Sequence, residues 1–491
     1  MLPRSTRPLP ARHRLTMPLT TLGAALFLAG CAQFPDLGAT PQPKAADAFQ
    51  STASLTAPTT QWPTDQWWTA YGDAQLNALI DEALADAPDL AAAAARLQRA
   101  DAVMQITGAA NKPQVSANAS VTGDKLSYNH LVPRSPATEG MNDYGRATLD
   151  VRWELDLWGK HRAALAAATS DVEAQRSELA QARLWLAAGV AAHYAELSRL
   201  HANRDTAARA LEIRQKTASL FTQRFDNGLE TRGGLRNADA RRAMAEGELL
   251  ALDEQMALQR NRLAALLGAG PDRGLAIAVP TLRLDRAFGL PAEISADLLG
   301  RRPDVVAARL RAEALGSRIE QKKAEFYPNV NLSALVGVQS LGLDMLAKGG
   351  SGIASFGPAI SLPIFSGGRL QGELRGAHAS YAEAVAVYNA TVARALQDVA
   401  DNAVRQKALG QRLGKAQEAV DAATEAHRVA SNRYEGGLAT YLDVLTAEDS
   451  LLGALSAQTD LRSASFTLDI GLQRALGGGY QRPASSTVAR K

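Results

Sequence analysis

The residue best equipped for covalent chemistry is Cys31, the lone thiol among 491 residues. A single cysteine closes no disulfide within the chain and builds no cysteine zinc cluster. No other set of side chains converges on a reaction. Seven histidines show no metal-ligand spacing, and the chain carries neither a GxxxxGK[ST] nucleotide loop nor an HExxH site. The sequence therefore reads as non-enzymatic, and the setting of Cys31 decides what its sulfur is for.

That setting is LFLAGCAQF, residues 26–34. Arg4, Arg7, Arg12 and Arg14 make a basic start without acidic residues, and an apolar run over 19–29 ends in small residues. The run is shorter than the about 20 apolar residues that span a bilayer. It reads as a signal peptide over 1–30, and Leu28, Ala29, Gly30 and Cys31 resemble a lipobox. The resemblance implies cleavage before Cys31, an S-diacylglyceryl group on its sulfur and an acyl chain on its new amine. Ala32, rather than an aspartate, follows the cysteine, which by the habit of such lipoproteins implies the outer membrane.

Loss of the four arginines turns a formal charge of +3 into about −1 for the mature chain, so nucleic-acid binding loses its compositional support. Residues 31–64, rich in Pro, Ala, Thr, Gln and Ser, read as an extended tether. Trp62, Trp67 and Trp68 are placed to fasten its end to the folded body.

The body is a repeat. Residues 88–115 align without a gap onto 303–330, carrying Pro88 onto Pro303, Arg96 onto Arg311 and Pro113 onto Pro328. LDLWGKHR (155–162) matches LPIFSGGR (362–369), and RFDNGLET (224–231) matches RYEGGLAT (433–440). The units span 65–290 and 291–476, followed by a flexible tail over 477–491.

Each unit holds strands and then long helices. Val115, Ala117, Ala119 and Val121 alternate with polar residues, as do Ala147, Leu149, Val151, Trp153 and Leu155. The alternation predicts strands at about 114–122 and 144–155, then about 329–339 and 354–364. Such strands suit either a half-buried soluble sandwich or a membrane barrel with lipid outside; the outer-membrane address favours the barrel. Proline is absent between Pro136 and Pro271 and again between Pro363 and Pro483, and Leu165, Val172, Leu179 and Leu186 keep heptad spacing. Two long helical hairpins follow, at about 159–268 and 367–476.

Four strands cannot close a membrane barrel, since an open edge leaves backbone groups unpaired in lipid and the smallest barrels have about eight strands. Counting excludes a monomer and leaves the choice between two and three copies open.

Lipobox, tether, duplicated unit, RRPDVVAARLRAEALGSRIEQKKAEFYPNVNLSA and SLPIFSGGRL together resemble the outer-membrane efflux lipoproteins of the TolC-like family, the outer-membrane factors of tripartite efflux systems. The resemblance implies an α+β membrane protein and a homotrimer. Four strands per chain would contribute to a 12-stranded barrel in outer-membrane lipid, continued by a periplasmic barrel of helical hairpins. It further implies a passive exit duct for small molecules, joined to a periplasmic adaptor and an inner-membrane pump. By the same resemblance Gly228, Leu229 and Thr231 in one tip, and Gly437, Leu438 and Thr440 in the other, meet the adaptor. Leu442 narrows the bore; Thr446 stands where the family places an acid, and Asp443 is the nearby substitute. The competing readings are a duct for secreted proteins and a lipid-anchored periplasmic scaffold.

If the strands span the membrane, the acyl chains are a second hold rather than the main one. Cys31→Ser, exported through a repaired signal, is expected to fractionate with outer membranes as trimers; loss of all membrane association would show that the strands do not span.

Overall fold

The computed structural model describes residues 34–482, except 126, 128, 130–134, 137–138, 285–287 and 293. The expected signal peptide over 1–30, Cys31 and most of the expected tail lie outside the described residues. The chain forms two compact units. One comprises 34–40, 104–168 and 314–382; the other comprises 41–103, 169–313 and 383–482.

The main elements repeat in order. Helices α1 (Ala74–Asp86) and α2 (Pro88–Ala109) lead to strands β1 (Gln114–Asp124) and β2 (Asn142–Leu155). Helices α3 (Lys160–Asp226) and α4 (Arg232–Leu266) close the first copy. The second copy runs α5 (Ile294–Arg301), α6 (Pro303–Ala324), β3 (Asn329–Leu341), β4 (Gly352–Ser361), α7 (Arg369–Glu435) and α8 (Tyr441–Ala475). Both hairpins pair a 67-residue helix with a 35-residue one, so the duplication is kept to the residue. At 1.5 Å per residue each long helix measures about 100 Å. No helix among the described residues is long and apolar enough to cross a membrane.

In the first unit the four strands form one antiparallel sheet in the order β1-β2-β3-β4. Its register brings Val115 opposite Val151, Val151 opposite Ala334, and Ala334 opposite Phe356. Because side chains alternate along a strand, one face becomes apolar across all four strands. Val115, Val121, Leu149, Val336, Phe356 and Ile360 are all exposed on it, a patch of the kind that lipid or a partner covers. The opposite face is polar: the Asn118 amide donates to Asp150 at 2.8 Å, as does the Thr148 hydroxyl.

Strand β4 ends at Ser361, three residues short of the 354–364 expected from alternation. Pro363 offers no amide to the ladder, and Gly367 and Gly368 at φ +60° and +85° turn the chain into α7. Below the sheet Ile319, Phe326, Leu370 and Leu374 form a small core. Phe34 lies on Phe326 with ring centroids 4.9 Å apart.

The second unit is held by helix packing. Trp67, Trp68 and Tyr71 are buried with Tyr194, Leu197 and Leu263, while Trp62 lies against a second core containing Val392, Ala395 and Val399. Val385, Val392 and Val399, seven residues apart on α7, are all buried, whereas of the heptad on α3 only Val172 is fully buried. Arg302 of the RRPD motif is buried and donates to Asp304 at 2.7 Å, to Asp398 at 2.9 Å and to the Ala475 carbonyl at 3.3 Å. One side chain therefore ties α6, α7 and α8 together.

Gly337 is where backbone crowding demands glycine: a Cβ there would lie 2.1 Å from the Ala147 carbonyl oxygen and 2.8 Å from the Thr148 Cα. Gly357 has open space around it. Gly337→Ala should cut the yield of protease-resistant, membrane-inserted protein severalfold, whereas Gly357→Ala should leave it at the wild-type level.

Candidate functional tips of the helical hairpins

The ends of the hairpins gather most of the residues that the sequence singles out. After α3, Gly228 takes φ +72°, and its amide and that of Leu229 donate to the carbonyls of Phe225 (2.9 Å) and Arg224 (2.8 Å). After α7, Gly437 takes φ +68°, with amides of Gly437 and Leu438 donating to Tyr434 (3.1 Å) and Arg433 (2.7 Å). Positive φ is costly for any residue with a Cβ, so both helices stop on glycine and reverse within five residues. The turns leave Leu229 65 % and Leu438 74 % exposed.

The returning helices begin differently. Thr231 caps α4, its hydroxyl oxygen accepting from the Gly234 amide at 3.0 Å. Thr440 caps α8, and both its amide and its hydroxyl donate to the Asp443 carboxylate at 2.8 Å. These hydrogen bonds, the hydroxyl's first, hold the Asp443 carboxyl below the usual aspartate range. Leu442 sits in this capped turn, 69 % exposed. At the first tip the corresponding places belong to Gly233 and Gly234. Thr446 turns its hydroxyl back onto the Leu442 carbonyl at 2.7 Å.

Between the hairpins lies an aromatic cluster that no sequence motif marks. Phe221 and Tyr441 have centroids 3.9 Å apart, Phe221 and Tyr434 are stacked at 6.0 Å and 8°, and the Arg224 guanidinium lies 4.7 Å over Tyr434. The Tyr434 hydroxyl donates to Glu230 at 3.1 Å, a direct bond from the end of one hairpin to the turn of the other. Burial pushes the Tyr441 hydroxyl up to about 12, so it stays neutral.

Two turns beyond, Glu448 is fully buried on α8. Its Oε2 accepts from Thr217 at 3.2 Å, while Oε1 faces Arg214 Nε at 3.7 Å, beyond hydrogen-bond reach. Arg214 and Arg241 both donate to the neighbouring Asp449, at 3.1 and 3.0 Å. Burial pushes the Glu448 carboxyl above its usual value. Val444, Glu448 and Leu451 are all buried and follow helical spacing, so an acid on an apolar stripe was the available signal. Cys31, the remaining site residue, lies outside the described residues.

Two stretches of the chain, 79–269 and 294–478, match the family model described as outer membrane efflux protein. The chain belongs to that family. It is 31 % identical over 481 residues to the multidrug resistance outer membrane protein MdtP of Escherichia coli K12, covering 96 % of this chain and 97 % of that one. It is 36 % identical over 371 residues to the fusaric acid resistance protein FusA of Burkholderia cepacia, covering 74 % and 69 %. The crystal structure of the outer membrane protein VceC from Vibrio cholerae superposes with a TM-score of 0.82 at 46 % identity, covering 86 % of this chain and all of that one. The fold is therefore TolC-like, with long helical hairpins and four antiparallel strands per chain. This outer membrane efflux protein conducts rather than catalyses.

The titration of Glu448 follows from its burial. The folded state binds that proton more tightly than the unfolded chain, whose carboxyl titrates near 4.5, so its effect on stability becomes more favourable as pH falls from the raised value towards 4.5. Glu448→Gln keeps an acceptor for Thr217 and removes the buried charge. It is expected to raise the unfolding temperature at pH 7.5 by about 2 °C, the shift produced by about 1 kcal/mol in a body of this size, and to flatten the dependence between pH 5 and 8.

Proposed function

We propose that three copies of this chain form a passive duct that carries drugs and other small toxic compounds out across the outer membrane. A periplasmic adaptor would join it to an inner-membrane pump that supplies the energy. The observation that carries this reading is the sheet: an apolar face across four strands, with β1 and β4 each left with an unpaired edge. Backbone groups at such edges need partners in lipid. Three chains supply twelve strands, wide enough for a water-filled bore, whereas two give about eight, filled by their own side chains. The resistance roles named for MdtP and FusA support the substrate class.

In this reading residues 1–30 are the signal, 31–64 the tether, 65–290 and 291–476 the two repeats and 477–491 the tail. Phe34 follows Cys31 by three residues and rests on Phe326 beside the start of β3. Three residues of chain reach about 10 Å, which suits acyl chains on Cys31 entering lipid near the end of the sheet.

The gate is assigned to the tips. Leu442 narrows the bore, and Asp443, engaged as a cap, fixes the turn that presents it. Leu229 and Leu438, with Gly228, Thr231, Gly437 and Thr440 shaping their turns, form the adaptor contact. The Tyr434–Glu230 bond and the aromatic cluster hold the two hairpins of each chain together while the gate is shut.

Leu442→Ala should raise the conductance of the purified trimer in planar bilayers severalfold at neutral pH. An unchanged single-channel current would remove Leu442 from the constriction.

A further inference from the structure

Resting on the trimeric reading, we infer the seam between copies: β4 of one chain pairs with β1 of the next with Ile360 opposite Ala117, and the Phe365 ring lies over Lys112. The warrant is the internal repeat. Within the chain, the last strand of the first copy already pairs with the first strand of the second copy, Leu155 standing opposite Val330. Just beyond, Trp158 stacks on Tyr327 with centroids 4.9 Å apart and an interplanar angle of 20°, and its indole N–H donates to the Pro328 carbonyl at 2.7 Å.

The sequence repeat carries Pro328 onto Pro113 and the segment 155–162 onto 362–369. Applied to this contact, it sets Leu362 against Val115 of the next copy, hence Ile360 against Ala117, and Phe365 against Lys112. In the single chain Phe365 is 90 % exposed and Ile364 89 %, and Lys112 is exposed too. An aromatic face above an ammonium group would replace the aromatic pair of the internal seam.

Two features of the sheet agree independently. This register puts Phe356 opposite Val121 and Ile360 opposite Ala117, so the apolar face continues across the seam; a slip of one residue would reverse it. Following the pairs from Val115 through Val151, Ala334 and Phe356 then returns to β1 of the next copy at Val121, a stagger of roughly six residues per copy. Three copies stagger by about eighteen over twelve strands. With about 3.3 Å per residue and 4.8 Å between strands, the strands tilt by about 45°, within the range of closed barrels. A two-residue slip that lengthened the stagger would steepen the tilt to about 54°.

Ser116 and Ser361 face each other on the polar side in this register. Full-length Ser116→Cys/Ser361→Cys protein, extracted from outer membranes and oxidised with copper phenanthroline, should give covalent dimers and trimers on heated non-reducing gels. Its yield should exceed that of Asn118→Cys/Ser361→Cys at least fivefold, and Ser361→Cys alone should give none. More linking in the Asn118→Cys pair than in the Ser116→Cys pair, or no linking while unheated gels still show trimers, would overturn the register. Absence of trimers from unheated wild-type samples would instead overturn the trimeric reading beneath it. For the rim contact, Phe365→Ala and Lys112→Ala should each lower the trimer's dissociation temperature, with the double variant no lower than Phe365→Ala. Additive losses would break the assigned pair.

Discussion

The sheet, and the assembly it requires, answer to one constraint: an amide or carbonyl facing hydrocarbon must have a partner. A four-stranded sheet meets it along three ladders and fails along two edges. Those edges make a single copy incomplete, whatever the quality of its own cores. Its apolar face adds the same demand from the side-chain level, since Phe356, Val336 and Val115 are exposed in the isolated chain. Assembly is therefore part of folding for this unit.

The helical part solves a different problem. Helices of 67 residues satisfy nearly all their backbone groups internally, so away from their ends they need partners only for side chains. Small residues permit close approach, and polar links such as Arg302 to Asp398 and Tyr434 to Glu230 choose which neighbours meet. Opposing charge effects sit close together at the second tip. The exposed Asp443 is stabilised as an anion by its capping bonds, while the buried Glu448 resists ionisation. Acidification would weaken the first and ease the second.

Periodicity made much of this legible. Alternation of period two marked all four strands, heptads marked the long helices, and glycines after RF and RY motifs marked the turns. Strand β4 was read too long because alternation through Leu362 and Ile364 continues past the residue where Pro363 ends the ladder. The motifs at the tips mark the turns and the candidate contact residues, and leave their partners across the hairpins unmarked. Glu230 lies in the quoted motif RFDNGLET and Tyr434 in RYEGGLAT, yet nothing in either motif says that two segments about 200 residues apart meet. Pairings across that separation are set by how helices pack, and a pattern local in sequence carries no trace of it. Glu448 was readable in principle, as an acid on an apolar stripe, but its partners Thr217 and Arg214 were not.

The two tips occupy corresponding places of the repeat and differ in the residues that restart their helices. One restarts its helix through Gly233 and Gly234, the other through Leu442 and a carboxylate that clamps Thr440. Elsewhere the two hairpins match in length, helix for helix. The turns differ in how the threonine is held: the Thr231 amide donates to the preceding Glu230 at 2.8 Å, whereas the Thr440 amide donates forward to Asp443 at 2.8 Å. The ends of the hairpins therefore offer two chemically different surfaces, one restarting its helix on nearly bare backbone at Gly233 and Gly234 and the other on the exposed side chain of Leu442.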